Sequence, residues 1–512
     1  MGQEAPRQRR SVTTAAQAPG VIRHRPAIMM VTMIAASIYS LNLTIVSISL
    51  PHMQGTFSAT PDQIAWVVTA FIVGMTTMIV CTGWLSARFG RKKVFTLSLI
   101  VFTVASLMCG NVHTLEGEVM WRFLQGVAGA SIIPLSQAIA VSAYPADQQG
   151  KAIGVWGIGN MIGPIIAPPI GGYLTELYGW PTVFYINLPL GLLAVVGAIL
   201  FVPHSEPDRS RRFDIVGFAV LVVSVVSLQL MLNRGTRLDW FDATEIIIEA
   251  ALAALFFYIF LVHAFTARTP ILRPEMFRDR NYAGCLMVAF GFGMQVFLPT
   301  ILLPLMLKNL RGYPIEMIGL LLAPRAVGVL AGNLVAGYLT SRFQPKYLAV
   351  IGFLGVAASS WFMSRWTLDI GPWDVAWTGI MQGFFSSLIF VPVASHAFST
   401  LSLRYREEAI PVFYLILNLG GSLGIAGIIT YWTASTQHNH AVLSEHVSIF
   451  NPMYRFLPDA WNPERSPTAA ALDLEIMRQA SMIAYNDCFT MIMFVTLLSA
   501  PAALLIKSRA RK

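Results

Sequence analysis

Two arginines stand where apolar chains rarely keep a charge. Arg122 lies in the apolar run 118–140 and Arg325 in the run 316–340. A cation at membrane depth is costly, and as a rule it serves a substrate or proton path. Glu118 precedes Arg122 by one helical turn, a spacing that allows an i,i+4 ion pair. Arg325, in Ala-Pro-Arg-Ala-Val-Gly, has no local partner. His396 sits in the run 375–400 and is of the one residue type that ordinarily titrates near neutral pH. Acids otherwise fall at run ends, at Asp62, Glu118, Asp214, Glu316, Asp374 and Asp487. Glu245 and Glu249 fall deeper, in the run 243–265, where they are expected to face an outer water layer or a partner. The candidates for carrying a proton are therefore His396, Glu118 with Arg122, and Asp62. Amides at Asn42, Gln125, Asn160, Gln295, Gln382 and Asn418 add neutral hydrogen-bonding groups. A buried amide needs a partner, so each either bridges helices or meets a bound molecule. Two cations with so few acids suit neutral, weakly acidic or amphipathic anionic compounds better than lipophilic cations.

No Gly-x-Ser-x-Gly, His-Glu-x-x-His or P-loop pattern is present, so the chain does not read as an enzyme, and no cofactor is implied. The four cysteines form no C-x-x-C pair, and His438, His440 and His446 lack tight ligand spacing, so no metal site is expected.

The elements that must hold these residues follow from composition. Of 512 residues, 55% are hydrophobic and 12% charged, about half the charge of a soluble domain. This excludes a disordered chain and most soluble enzymes. The net charge of +9 sits in short segments between apolar runs, which points to a membrane surface and not to nucleic acid. Backbone groups in lipid must be satisfied within the segment, so long apolar runs are helices. Fourteen are expected, over 27–50, 63–84, 94–110, 118–140, 152–174, 183–202, 213–233, 243–265, 283–307, 316–340, 346–364, 375–400, 409–432 and 486–506. With the N-terminus inside, 25 Lys and Arg fall on the inner side and 8 on the outer, as the positive-inside rule requires. The tail 1–26 is polar and carries no cleavable signal pattern, and 433–485 reads as one long outer loop suited to docking.

The chain also repeats itself. Gly83, Leu85, Arg88, Phe89 and Lys92 recur as Gly337, Leu339, Arg342, Phe343 and Lys346 at one offset of 254. Gln125-Gly126 is echoed by Gln382-Gly383, and Asn160 and Gly163 by Asn418 and Gly421. Spans 1–6 thus resemble spans 9–14. Two repeated six-helix halves with a path between them are usual in transporters. The organisation expected is a tail 1–26, a half 27–202, two inserted helices within 203–282, a second half 283–506 with the loop 433–485, and a tail 507–512.

Over nearly its whole length the chain resembles the major facilitator superfamily, and within it the fourteen-spanner drug:proton antiporters of the EmrB type. The first-loop motif runs from Gly83 to Lys93, the fourth-span motif is Arg122, Gln125, Gly126 and Gly129, and the antiporter motif is Gly159, Gly163, Pro164, Pro168, Gly171 and Gly172. The segments Trp180 to Pro189 and Leu232 to Phe241 also match. The resemblance implies an all-α major facilitator fold with both termini cytoplasmic, and proton-coupled efflux of small hydrophobic compounds by alternating access. It implies a bacterial inner membrane, with a periplasmic adaptor and an outer-membrane channel as partners. It makes Gly83, Arg88, Gly90, Arg91 and Lys92 a gate, with Arg88 acting on neighbouring helix ends. Three departures stand out: Asn42 replaces the usual first-span Asp, Ser47 an Asn, and Ala87 an Asp of the loop motif. Two other readings stay open, a dedicated exporter of one metabolite or lipid-like acid, and an uncoupled or non-transporting relative used as a sensor or scaffold.

Overall fold

Long apolar runs become helices because only an internally bonded backbone survives in hydrocarbon. The computed structural model describes residues 24–145, 148–205, 207–208, 213–340, 342–447 and 466–506, and every element among them is helical. In chain order the long helices are α1 (Arg25–Phe57), α2 (Trp66–Phe89), α3 (Arg91–Asn111), α4 (Leu115–Ser142), α5 (Gln149–Tyr178), α6 (Thr182–Phe201) and α7 (Ile215–Arg234). They continue with α8 (Thr244–Thr266), α9 (Arg280–Arg311), α10 (Ile315–Thr340), α11 (Pro345–Met363), α12 (Pro372–His396), α13 (Leu403–Glu445) and α14 (Ser466–Ser499). Thirteen helices among the described residues are long and apolar enough to cross a membrane. The glycine- and proline-rich α5 lies along α1 and α10.

Local chemistry sets the ends. Thr114 caps α4 by accepting from Gly117 N at 3.3 Å, and Asp279 caps α9 by accepting from Asn281 N and Tyr282 N at 2.8 and 3.1 Å. Helix α9 breaks at Phe297, just before Pro299, and α4 breaks between Gly129 and Ile132.

Glycines let the helices close on one another. A Cβ on Gly74 would meet Phe123 O at 2.2 Å, and one on Gly126 would meet Phe71 O at 2.1 Å, so α2 and α4 touch backbone to backbone. The same contact recurs between α10 and α12, where Gly328 faces Ile380 O and Gly383 faces Arg325 O. The repeat seen in the sequence is thus also a repeat of packing.

Helices α1–α6 and α9–α14 meet mainly along α5 with α10 and α2 with α13. Several of these contacts lie near one face of the bundle, the one that carries the start of α1 and the end of α14. There Gly150 abuts Gly337, Gly154 abuts the Asn333 carbonyl, and Tyr414 of α13 donates to Gln137 of α4 at 2.8 Å. The hairpin of α7 and α8 covers α2 and α13 from outside. Its tip is pinned by Thr236 and Trp240, which both bond the Thr430 hydroxyl, at 2.8 and 2.9 Å. At its base Asp214 accepts from Gly217 N and Ile271 N and pairs with His263.

The structure corrects two expectations. The motif Gly83–Lys93 is not a loop: α2 runs to Phe89 and α3 starts at Arg91, with Gly90 alone between them at φ +90°. The stretch 433–485 is not a loop either. Residues 433–445 prolong α13 and 466–485 belong to α14, paired through His440 with Asp473 at 2.8 Å and Ser435 with Asp487 at 2.9 Å. Residues 448–465 lie outside the described ones. Glu245 and Glu249 both bond Arg234 of the same hairpin, Glu249 at 2.9 Å, and the Glu245 side chain stays exposed.

Candidate functional site

Arg122 enters the interior from α4 and is 1% exposed. Its Nη1 donates to Asn42 Oδ1 of α1 at 2.6 Å and to Gln125 Oε1 at 2.5 Å, and its Nε donates to Val67 O of α2 at 3.1 Å. Gln125 Nε2 donates onward to Ser106 of α3 at 2.6 Å. The guanidinium lies over the Phe71 ring, 4.6 Å from its centroid. Four helices are therefore tied through two side chains, Arg122 and Gln125. Asn42, Arg122 and Gln125 were read as separate candidates, and the structure joins them.

Glu118 is the surprise of this cluster. It is fully buried, and among the described residues its carboxylate oxygens accept from no N–H or O–H group. The ion pair with Arg122 suggested by the spacing does not form. The guanidinium reaches across to α1 and α2, and its bonds go to neutral acceptors. The buried thiol of Cys109 on α3 is beside Glu118. Burying an ionised carboxylate away from cationic or N–H donors is costly.

A second polar group lies among α9, α10 and α12. Arg325 donates from Nη1 to Thr300 at 2.6 Å and from Nη2 to Val296 O at 2.9 Å, the carbonyl at the break in α9. Its Nε has no partner. Gln295 and Gln382 are fully buried, and neither amide has a hydrogen bond among the described residues. An unpaired buried amide costs about 1–3 kcal/mol, so these two call for an explanation.

The other candidates scatter. Asn160 of α5 accepts from Ser40 of α1, two residues from Asn42. Asn418 is half-buried and takes part in no hydrogen bond among the described residues. His396 ends α12, where Ser395 contacts its Nδ1 at 3.1 Å and its carbonyl accepts from Asn281. The side chains of Asp62 and Pro168 lie outside the described residues. Gly159, Gly163 and Gly171 press α5 onto Met33, Ser37 and Leu41, and Ile45 of α1, whereas Gly172 meets nothing within 4 Å. Pro164 is half-buried beside them.

In the proposed gate, Gly83 is buried within α2 and Gly90 is covered by Ser205, whose hydroxyl accepts from Arg91 N at 2.7 Å. Lys92 Nζ donates to Ile199 O at 2.7 Å, at the end of α6. The expected lock by Arg88 does not appear: Arg88 is half-buried and bonds no neighbouring helix end among the described residues. Missed altogether was Asn333 of α10, buried against Gly154 and Gly157. The signal available was the glycine spacing on the facing helix.

Comparison with known proteins gives a consistent picture. The family model described as Major Facilitator Superfamily matches residues 32–425 and 285–502. The chain is 31% identical over 459 residues to the multidrug export protein EmrB of Escherichia coli (strain K12), covering 88% of this chain and 89% of that protein. It is 29% identical over 416 residues to the fatty acid resistance protein FarB of Neisseria gonorrhoeae, covering 80% and 81%. Its fold superposes on the crystal structure of the human organic anion transporter MFSD10 with a TM-score of 0.58 at 12% identity, over 92% of this chain and 99% of the other.

Proposed function

This chain belongs to the Major Facilitator Superfamily, among its EmrB-type multidrug efflux permeases, and from that premise we propose that it exchanges protons for small hydrophobic or weakly acidic amphipathic compounds. It is a multi-pass membrane transporter and not an enzyme. In this reading fourteen helices span the inner membrane of a bacterium. Two six-helix halves, 27–202 and 283–506, flank the inserted pair within 203–282, and the tails 1–26 and 507–512 are cytoplasmic. The face where the halves touch is then the cytoplasmic one. It is closed in this conformation, and rocking about α5 with α10 and α2 with α13 opens it. The prolonged α13 and α14 stand on the periplasmic side, where an adaptor leading to an outer-membrane channel docks.

One observation carries the coupling: Glu118 is a fully buried carboxylate that, among the described residues, accepts from no N–H or O–H group, one turn from a guanidinium engaged by neutral acceptors. Asn42 cannot titrate, so the first helix holds Arg122 in place and α4 supplies the proton-carrying group. Protonated, Glu118 is neutral and tolerated in the closed interior. When water reaches it from the cytoplasmic side it releases the proton, and the charge is then stabilised by Arg122 nearby. His396, remote from this cluster, is left with a packing role. A narrower reading, export of one lipid-like acid, is favoured by the likeness to a fatty acid resistance protein.

The test is paired substrate and proton flux in proteoliposomes under an imposed pH gradient. Glu118→Gln is expected to abolish gradient-driven accumulation while leaving passive counterflow, and His396→Ala to retain coupling. Full proton flux in Glu118→Gln, or its loss in His396→Ala alone, sinks this assignment.

A further inference from the structure

The two polar clusters occupy repeated positions, and their differences are informative. Leu50-Pro51-x-Met53 of α1 recurs as Leu303-Pro304-x-Met306 of α9, an offset of 253 that sets Asn42 against Gln295. The offset of 257 between α4 and α12 sets Gln125 against Gln382 and Arg122 against Gly379. The offset of 254 between α2 and α10 sets Phe71 against Arg325. The packing obeys these registers, since Gly126 faces Phe71 O as Gly383 faces Arg325 O.

The arginine has therefore changed helices. In the first cluster it comes from α4 and lies over Phe71 of α2. In the second it comes from α10, at the place of Phe71, and its Cβ lies against Gly379, at the place of Arg122, where a Cβ would be 3.4 Å away. Each cluster keeps one guanidinium and two amides, and the amides stay on helices of the same rank.

The bonding differs. In the first cluster both Gln125 atoms and Asn42 Oδ1 are engaged, and of the amide atoms only Asn42 Nδ2 is not. In the second, both nitrogens and both oxygens of Gln295 and Gln382 are unbonded, as is Arg325 Nε. Gln295 adjoins Val296, whose carbonyl holds Arg325 Nη2, and Gln382 lies between the two glycines that pack on Arg325. The two engaged Nη atoms fix the guanidinium, leaving its Nε–H and two amide NH2 groups as donors. No acid occurs in 280–311, 317–340 or 375–396 to neutralise the charge. Arg325 is half-buried and Thr300 exposed, so the cluster reaches a surface of the bundle. Phe292, which is buried, and Phe390, half-buried, lie tilted with ring centroids 5.8 Å apart and bring aromatic side chains to α9 and α12.

We propose that Arg325, Gln295 and Gln382 form the anchor for an anionic oxygen headgroup, the carboxylate of an amphiphile whose tail lies on the aromatic surface of α9 and α12. The first cluster then serves the proton and the second the substrate. This inference rests on the export reading and names the substrate class within it. A carboxylate accepts from a guanidinium and from amides. A cationic headgroup meets Arg325 instead and is rejected.

The experiment is equilibrium binding to the purified full chain in nanodiscs, without a gradient, using decanoate, 1-decanol and decyltrimethylammonium as probes. Wild type is expected to bind decanoate in preference to the other two. Arg325→Met and Gln382→Leu are expected to weaken decanoate by about tenfold or more while leaving decanol unchanged. Arg325→Lys keeps the charge without the Nε–H, and it is expected to weaken decanoate too, which covers a misfolded Arg325→Met. Decanoate binding that ignores Arg325→Lys and Gln382→Leu, or a wild type that favours the cation, overturns the proposal. Such a result with intact proton coupling refutes this anchor alone. Selective decanoate binding in a chain that moves no proton refutes the coupling and leaves the anchor standing.

Discussion

Gly154→Ala tests whether the contact of α5 with α10 is the surface on which the two sets of helices rock. An added Cβ would sit 2.5 Å from Asn333 O, a backbone atom, and 3.6 Å from Gly337 Cα. Ordinary contact begins at 3.4 Å, so one helix must retreat by about 0.9 Å, and neither backbone can yield by rotating a side chain. Overpacking of this kind costs about 1–3 kcal/mol, and only the conformation with this face closed bears it. The open conformation then gains by a factor of roughly 5–150 relative to the closed one. Spin labels at Ser142→Cys and Thr400→Cys, both exposed on this face, report the change by pulsed electron resonance. The four native cysteines are buried, so background labelling is limited. A longer inter-label distance is expected in Gly154→Ala. Gly172→Ala, which meets nothing within 4 Å on the same helix, serves as the unchanged control. A distance distribution equal to that of wild type, or a shift shared by both variants, would refute the reasoning.

Three further outcomes are expected. Glu118→Leu removes a buried carboxylate that accepts from no N–H or O–H group among the described residues and should stabilise the chain by about 1–3 kcal/mol, read as a higher thermal midpoint in detergent. Asn42→Asp sets a carboxylate where an amide oxygen now lies 2.6 Å from Arg122, and the charge-assisted bond should add about 1 kcal/mol at neutral pH, checked by the same melt. Asp214→Ala strips the acceptor from Gly217 N and Ile271 N and the partner from His263, and should cost about 2 kcal/mol and speed proteolysis of 267–279.

Much of the architecture was legible because lipid forces hydropathy and helix to coincide. Arg122 and Arg325 announced themselves as charges in apolar runs. Their partners did not, because a guanidinium reaches across helices and the sequence shows only neighbours along one. The Glu118 pair failed for this reason. The stretch 433–485 misled in the opposite way: outside hydrocarbon a helix can be polar on every face, so α13 and α14 continue where hydropathy stops. Spacings such as His440 with Ser444 and Glu475 with Gln479, each one helical turn and each bonded, were the signal available. Gly83 to Phe89 looked like a turn for its glycine and charges, yet only Gly90 has the positive φ that breaks a helix. Asn333 was hidden as a lone amide in an apolar run, meaningful only once the glycines opposite it are seen.

The length of α13 has a mechanical meaning. Its 43 residues make a rod of about 64 Å, twice a hydrocarbon core of about 30 Å. One end is gripped by α4 through Tyr414, and the other is splinted to α14 through Ser435 and His440. A rod held near its foot is a lever. If it tilts by about 10° as a unit, its far tip sweeps about 11 Å, far more than the helices move where they touch. Such a tilt would carry a movement at one face of the membrane to the other as a stroke several times larger.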